Sequence, residues 1–228
     1  MYRRNFLLSS SCLALNLATF GYAHAESAGS VFNITWRDLN IGYSKVNLTK
    51  KKSQLIFNAE VLINVDILGI RVFSYSLLNE EIWENKELQL LESIVKIGSK
   101  TEYSKGSRTD NGFVVDGSAY TGIIKERVAT TSYFTPDFLR RNIWISTQNG
   151  KPLNVRSKYI GTKKISSSKG EIVVDEWAVT GDLNIILYYD KNEQWVGSKF
   201  KAGGSTALFS LHNNVGNLNT MWNKEWKK

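Results

Sequence analysis

Four acids fall within one short stretch of the chain: Asp175, Glu176, Asp182 and Asp190. Glycoside hydrolysis asks for little more than two carboxyls roughly 5 to 9.5 Å apart, one acting as acid and the other as nucleophile or base. Asp182 follows Gly181, however, and Asp190 precedes Lys191-Asn192-Glu193, turn positions where aspartate is expected for its backbone hydrogen bonds. Ser166-Ser167-Ser168-Lys169 has the S-x-x-K spacing of a serine-lysine nucleophile. That chemistry needs both side chains on one helical face with a buried lysine, whereas this stretch is polar and neither S-D-N nor K-T-G follows. The histidines are His24 and His212, neither beside a second histidine or a cysteine, which argues against Ser-His-Asp, Cys-His and zinc chemistry. G-x-S-x-G, the P-loop and G-x-G-x-x-G are absent. No catalytic residue, metal ligand or cofactor is assigned, and the sequence points away from an enzyme.

The surplus lies in aromatic residues: 7 Trp, 10 Tyr and 10 Phe. Trp36, Tyr43, Phe73, Tyr75, Trp83, Trp177, Tyr188, Tyr189, Trp195 and Phe200 recur in runs rich in strand formers. Core packing accounts for most of them, because aromatics favour strands and bury much area. The other use is the lining of an apolar pocket. The candidate ligand-binding set is Trp36, Tyr43, Phe73, Tyr75, Trp83, Trp177, Tyr188 and Trp195. Trp83, Trp177 and Trp195 are the expected fluorescent reporters, and a charge at Trp177 is expected to abolish binding.

The elements that must position these side chains are hairpins. Residues 172–179, 183–189 and 194–201 are separated by Gly181-Asp182 and by residues 190–193, the turn chemistry of an antiparallel meander. Upstream, residues 31–37, 41–49, 54–66, 70–83 and 87–97 repeat the layout. In residues 54–66, Leu55, Phe57, Ala59, Val61, Ile63 and Val65 alternate with a mostly polar set, so one face is covered and the other wet. Strands this long must twist and curve, and a curved sheet has a concave side. Residues 101–111 read as a polar loop or weak hairpin. Residues 135–141 are the helix candidate, with Thr135 as cap, Pro136 at the first helical position and Asp137 at the positive end of the dipole. A hairpin around Asn149-Gly150 follows. The fold class is all-β with one or two short helices, a curved antiparallel meander forming an open or half β-barrel. Residues 30–212 make a single domain, and residues 213–228 are expected to be a flexible C-terminal tail.

Residues 1–25 begin with Arg3-Arg4, continue with a modest apolar stretch and end on Ala23-His24-Ala25, an A-x-A cleavage site. This reads as an export peptide cleaved after Ala25, and Arg3-Arg4-Asn5-Phe6-Leu7 resembles the twin-arginine (Tat) motif; an ordinary Sec signal is the alternative. A lipoprotein acylated at Cys12 fits less well, since only Phe6, Leu7 and Leu8 form an apolar run before it. The expected location is the periplasm, and without Cys12 the chain has no cysteine. Its formal charge of +8, two of which belong to Arg3 and Arg4, is scattered over the turns rather than gathered in a stripe. That pattern excludes a nucleic-acid footprint and leaves a general attraction to anionic surfaces. No transmembrane segment is expected.

Residues 36–42 (WRDLNIG), Glu81-Ile82-Trp83, residues 131–136 (TSYFTP) and Gly181-Asp182-Leu183 leading into Leu187-Tyr188-Tyr189-Asp190 resemble an exported proteobacterial family known only as a domain of unknown function. The resemblance spans nearly the whole chain after residue 25. Tyr188 departs from it, since tryptophan stands there in the family pattern. That family is similar to the half-barrel carriers of the lipoprotein-localisation type, in which a curved sheet wraps helices and an apolar ligand. The resemblance implies no catalytic residues. The expected function is a non-catalytic periplasmic binder or carrier of a hydrophobic small molecule or lipid. A protein-interaction domain of the cell envelope and a carboxylate-dependent hydrolase are the alternatives.

Overall fold

A computed structural model describes residues 26–167 and 170–226. The export peptide, its twin arginines and Cys12 lie outside the described residues, as do Ser168 and Lys169 of the S-x-x-K stretch. The elements in chain order are β1 (Ser27–Trp36), β2 (Leu39–Lys51), β3 (Gln54–Ile67), β4 (Ile70–Glu84), β5 (Glu87–Ile97), β6 (Lys100–Thr109), β7 (Gly112–Gly117), β8 (Thr121–Ile124), β9 (Val128–Thr130), a 3-10 helix (Pro136–Arg140), β10 (Ile143–Ile145), β11 (Pro152–Ser167), β12 (Gly170–Gly181), β13 (Ile185–Asp190), β14 (Trp195–Ala202), β15 (Ser205–Val215) and helix α1 (Leu218–Glu225). All fifteen strands join one sheet in the order β8-β7-β6-β5-β4-β3-β2-β1-β15-β14-β13-β12-β11-β10-β9. Each neighbour pair is antiparallel except β9 with β10, which is parallel and departs from the expected all-antiparallel meander.

The sheet curls into a nearly closed barrel, and β3 lays an uninterrupted apolar row along its inner face. On β3, Leu55 and Phe57 are fully buried, and the same row continues through Ala59, Val61, Ile63 and Val65 along the barrel interior. Bulges at Ile41 on β2, opposite Ile34 and Thr35, and at Val72 on β4, opposite Val65 and Asp66, add the local twist that bends the sheet. The two edges meet near the β10–β11 turn, where Ala119 N donates to Asn149 O at 3.0 Å. A Cβ on Gly117 would stand 2.5 Å from Asn149 O, and Gly150 has φ 80°, so glycine at both positions permits the approach.

One end of the barrel is plugged from inside. Thr135 caps the 3-10 helix by accepting from Asp137 N, and Phe138 is fully buried. The helix expected over residues 135–141 is therefore present as a single tight turn with the foreseen cap and proline. Arg141, 6% exposed, donates to Val128 O and Lys86 O and pairs with Asp137 at 3.1 Å.

Residues 213–228 do not form the flexible tail expected of them, at least as far as residue 226. β15 continues to Val215, and Asn217 caps α1 by accepting from Thr220 N. Leu218, Met221 and Trp222, spaced to share one face, are buried, so the helix is held by packing rather than by its own propensity. Its ends are tied by Thr135 Oγ1 to Asn219 Oδ1 at 2.6 Å and by Lys50 to Glu225. Residues 101–111, read as a loop or weak hairpin, supply β6 and its turn into β7, a hairpin in which β5 and β7 satisfy the backbone of a strand whose side chains are mostly polar.

Candidate functional site

The inward row of β4 reads Tyr75, Leu77, Asn79, Glu81, Trp83, and the positions along it change role with depth. Trp83 lies fully buried at the plugged end, 5.0 Å from the Phe138 ring and 5.3 Å from that of Trp222, with Phe134 completing the cluster. Above the plug the interior is open. A cavity of about 860 Å³ runs from the level of Phe57 to the opposite mouth of the barrel. Its wall is the apolar row of β3 together with Ile34, Val46, Leu77, Ile185, Phe200 and Phe209.

Four of the eight candidate residues line this cavity: Trp36, Phe73, Tyr75 and Trp195. Trp36 anchors one side of the mouth, its indole donating to Ala202 O at 2.8 Å while the Arg37 guanidinium lies 4.2 Å from its ring centroid. Trp195 packs its ring 5.2 Å from Tyr133, edge to face, and 4.0 Å from Phe32. Burial pushes the Tyr75 phenol well above the ordinary tyrosine range and takes that of Tyr133 to about 12.

The other four candidates do not line the cavity. Trp83 fills the plug. Tyr43 is on the other face of β2 from Ser44 and Val46, where its hydroxyl donates to Glu60 and Lys45 lies 4.7 Å from its ring. Trp177 is half-buried against Tyr159, rings 5.3 Å apart. Tyr188 belongs to a small separate cluster with Val174 and Val196, on the other face of β13 from Leu187 and Tyr189. Trp83 and Trp177 therefore stand away from the cavity wall, and a charge at Trp177 would act on the core it packs against rather than directly on a ligand.

One strip of the cavity wall is polar. Asn79, Thr131, Ser132, Thr147 and Gln148 lie along it, with Thr131 and Thr147 hydroxyls 2.9 Å apart. Behind Asn79 and Ser132 sits Glu81, which is fully buried. It accepts from Asn79 Nδ2 at 3.0 Å, Trp83 Nε1 at 2.9 Å and Ser132 Oγ at 3.2 Å. Desolvation outweighs these donors and raises its pKa above the usual carboxylate value. No pairing of Glu81 with a cation is present among the described residues, so the carboxyl ties β4 to the 131–132 turn through hydrogen bonds alone. Sequence reasoning missed it, although two polar residues two apart in an otherwise apolar inward row were the available sign.

The acids considered for hydrolysis are accounted for by structure. Asp182 accepts from Asn154 N at 2.9 Å, which holds its carboxyl below the usual range. Asp190 accepts from Asn192 N and Gln194 N in the β13–β14 turn. Asp175 accepts from Thr162, and Glu176 pairs with Lys163 at 2.9 Å. None of the four lines the cavity. His212 is exposed near Asn33. Among the described residues no group of three or more His, Cys, Asp and Glu is placed to hold a metal ion, and no helix is long and apolar enough to cross a membrane.

A protein family described as a domain of unknown function (DUF6134) matches residues 32–212. No curated protein matches the chain. Among solved structures, a crystal structure from Brucella abortus is similar, a beta-barrel-like protein of the domain of unknown function DUF1849. It superposes with a TM-score of 0.59 at 9% identity, over 83% of this chain and 97% of that one. At that identity the likeness is one of fold.

Proposed function

For this chain, which belongs to the DUF6134 family of unknown function, we propose a non-catalytic role: binding and carrying an apolar, lipid-like molecule in the barrel cavity, outside the cytoplasm after loss of residues 1–25. One observation carries the reading. The interior is an apolar cavity of about 860 Å³, closed by a plug at one end and open at the other. Small-molecule sites typically enclose about 300 to 1,000 Å³, with apolar walls and a few polar groups that fix orientation. The strip from Asn79 to Gln148 supplies such groups, and it suits a ligand with one hydrogen-bonding end and an apolar body. The absence of a cavity-facing pair of carboxylates among the described residues removes the support for hydrolysis.

The test is native mass spectrometry of the protein purified without detergent from its own cell envelope. A species beginning at Glu26, with the added mass of a hydrophobic molecule that organic solvent extracts, is the expected result. A cytoplasmic chain that keeps its first 25 residues contradicts the export part. A correctly processed protein with nothing bound, unchanged by incubation with single-chain lipids, contradicts the carrier part.

A further inference from the structure

The turn joining β3 to β4 is built against the habit of the other hairpins. Leu68 has φ 49° and Gly69 φ 80°. Left-handed turn positions ordinarily carry glycine, asparagine or aspartate, and a bulky apolar residue there is uncommon. The other left-handed turn positions of the barrel's hairpins are polar or glycine, as at Arg37-Asp38, Lys52, Asn85-Lys86 and Gly203-Gly204. Leu68 is 98% exposed, and Ile67, Ile70, Val72 and Phe73 around it are 52, 69, 53 and 43% exposed. Singly exposed apolar residues need no explanation, but five gathered on one projecting tip do. Ile67, Val72 and Phe73 also line the cavity, so apolar surface runs unbroken from the tip into the barrel.

We propose that this hairpin inserts into the surface of an anionic lipid bilayer and seats the cavity mouth on it. The charge around the tip complements such a surface. Asp66, on the hairpin itself, is paired with Arg71, and Glu102, on β6 at the same end of the barrel, with Lys100. Arg37 and Lys201 stand at the neighbouring strand ends, opposed there by Asp38, and without Arg3 and Arg4 the formal charge is +6. Leucine and isoleucine entering the acyl boundary, with cations at headgroup level, is the composition of an interfacial anchor. Insertion stands on this surface alone. That it brings the cavity to its source of ligand rests on the carrier reading above.

The processed protein beginning at Glu26 is floated with vesicles of phosphatidylcholine alone and of phosphatidylcholine mixed with phosphatidylglycerol. Association with the mixed vesicles, weakened by added salt, is expected. Leu68→Asp combined with Ile70→Asp should lower the bound fraction about tenfold, the loss of two buried apolar anchors. The emission of Leu68→Trp should shift to the blue on the mixed vesicles and be quenched by brominated acyl chains. Uptake of a fluorescent single-chain fatty acid below its micellar concentration reports the cavity separately and should be unchanged in the double variant, which also shows that it folds. Vesicle association with no fatty-acid uptake upholds insertion and sinks the carrier reading alone. Failure of the wild-type chain to float, or equal flotation of the double variant, overturns the proposal. So does a wild-type dimer in sedimentation that the double variant dissociates without any vesicle binding, which would give the tip to a second copy of the chain.

Discussion

The two ends of the barrel use the same residue types for opposite purposes. At the plugged end, Trp83, Phe134, Phe138 and Trp222 pack against one another with no space between them. Towards the open end Trp36, Phe73 and Tyr75 stand around a cavity, and Trp195, one residue from the Gln194 that accepts from Leu218 N of α1, lines it close to the plug. What separates the ends is not the sheet, since β3 and β4 run through both, but the two short helices laid across one of them. An aromatic residue on an inward row is thus a filler or a wall according to its height above Phe138 and Trp222. Stability should be concentrated below that level and ligand chemistry above it.

The comparison is broken most directly by truncating one ring at each end. Trp222→Ala removes a fully buried ring that contacts four others and should cost about 3 to 5 kcal/mol, read as a lowered midpoint of urea unfolding. Phe73→Ala, at a side chain 43% exposed on the mouth, should cost about 1 kcal/mol or less in the same assay. Equal losses would mean that the plug is no more important to the fold than the mouth.

A smaller effect sharpens the boundary between the two zones, where Glu81 sits. Burial raises its folded-state pKa above the unfolded value, so the folded state holds its proton more tightly. The stability this gives is fully present below the unfolded pKa and is lost as pH rises towards the folded pKa, by at most about 1.4 kcal/mol per pH unit. Glu81→Gln, which cannot ionise, should therefore flatten the fall in urea midpoint as pH rises above the unfolded carboxylate pKa. An unchanged slope in the variant would assign the pH dependence to other groups.

Periodicity carried the fold a long way. The alternation of residues 54–66 placed β3 and its covered face, and Thr135-Pro136-Asp137 placed a capped helical turn. Turn residues located most hairpins, because glycine and aspartate there have local reasons to be where they are. Long-range packing was less legible. Asn217 and the 218, 221, 222 spacing are a sound helix signature, but one too short to form alone, and only the barrel end it covers makes it stable. β6 is polar and is a strand because of its neighbours.

The candidate site was half legible for a similar reason. Parity along a strand tells which face a side chain takes, and on that ground Tyr43 and Tyr188 belong outside the cavity wall, opposite Val46 and Leu187. Parity does not tell height along the barrel axis, so Trp83 could not be separated from Tyr75. Asn79 and Glu81 stood in plain sight as polar interruptions of that same row. Their partner Ser132 is 51 residues from Glu81, a pairing set only by the folded chain.

The seven tryptophans are placed to decide between wall and filler in one measurement. Fluorine spectra of the 5-fluorotryptophan-labelled chain, assigned by single Trp→Phe substitutions, would be followed during titration with a single-chain fatty acid below its micellar concentration. The resonances of Trp36 and Trp195 should move with a common saturation, while those of Trp83 and Trp222 stay in place. Saturable shifts at Trp83 and Trp222 with Trp36 and Trp195 still, or no shift at any position, would contradict a ligand-binding cavity above a solid plug.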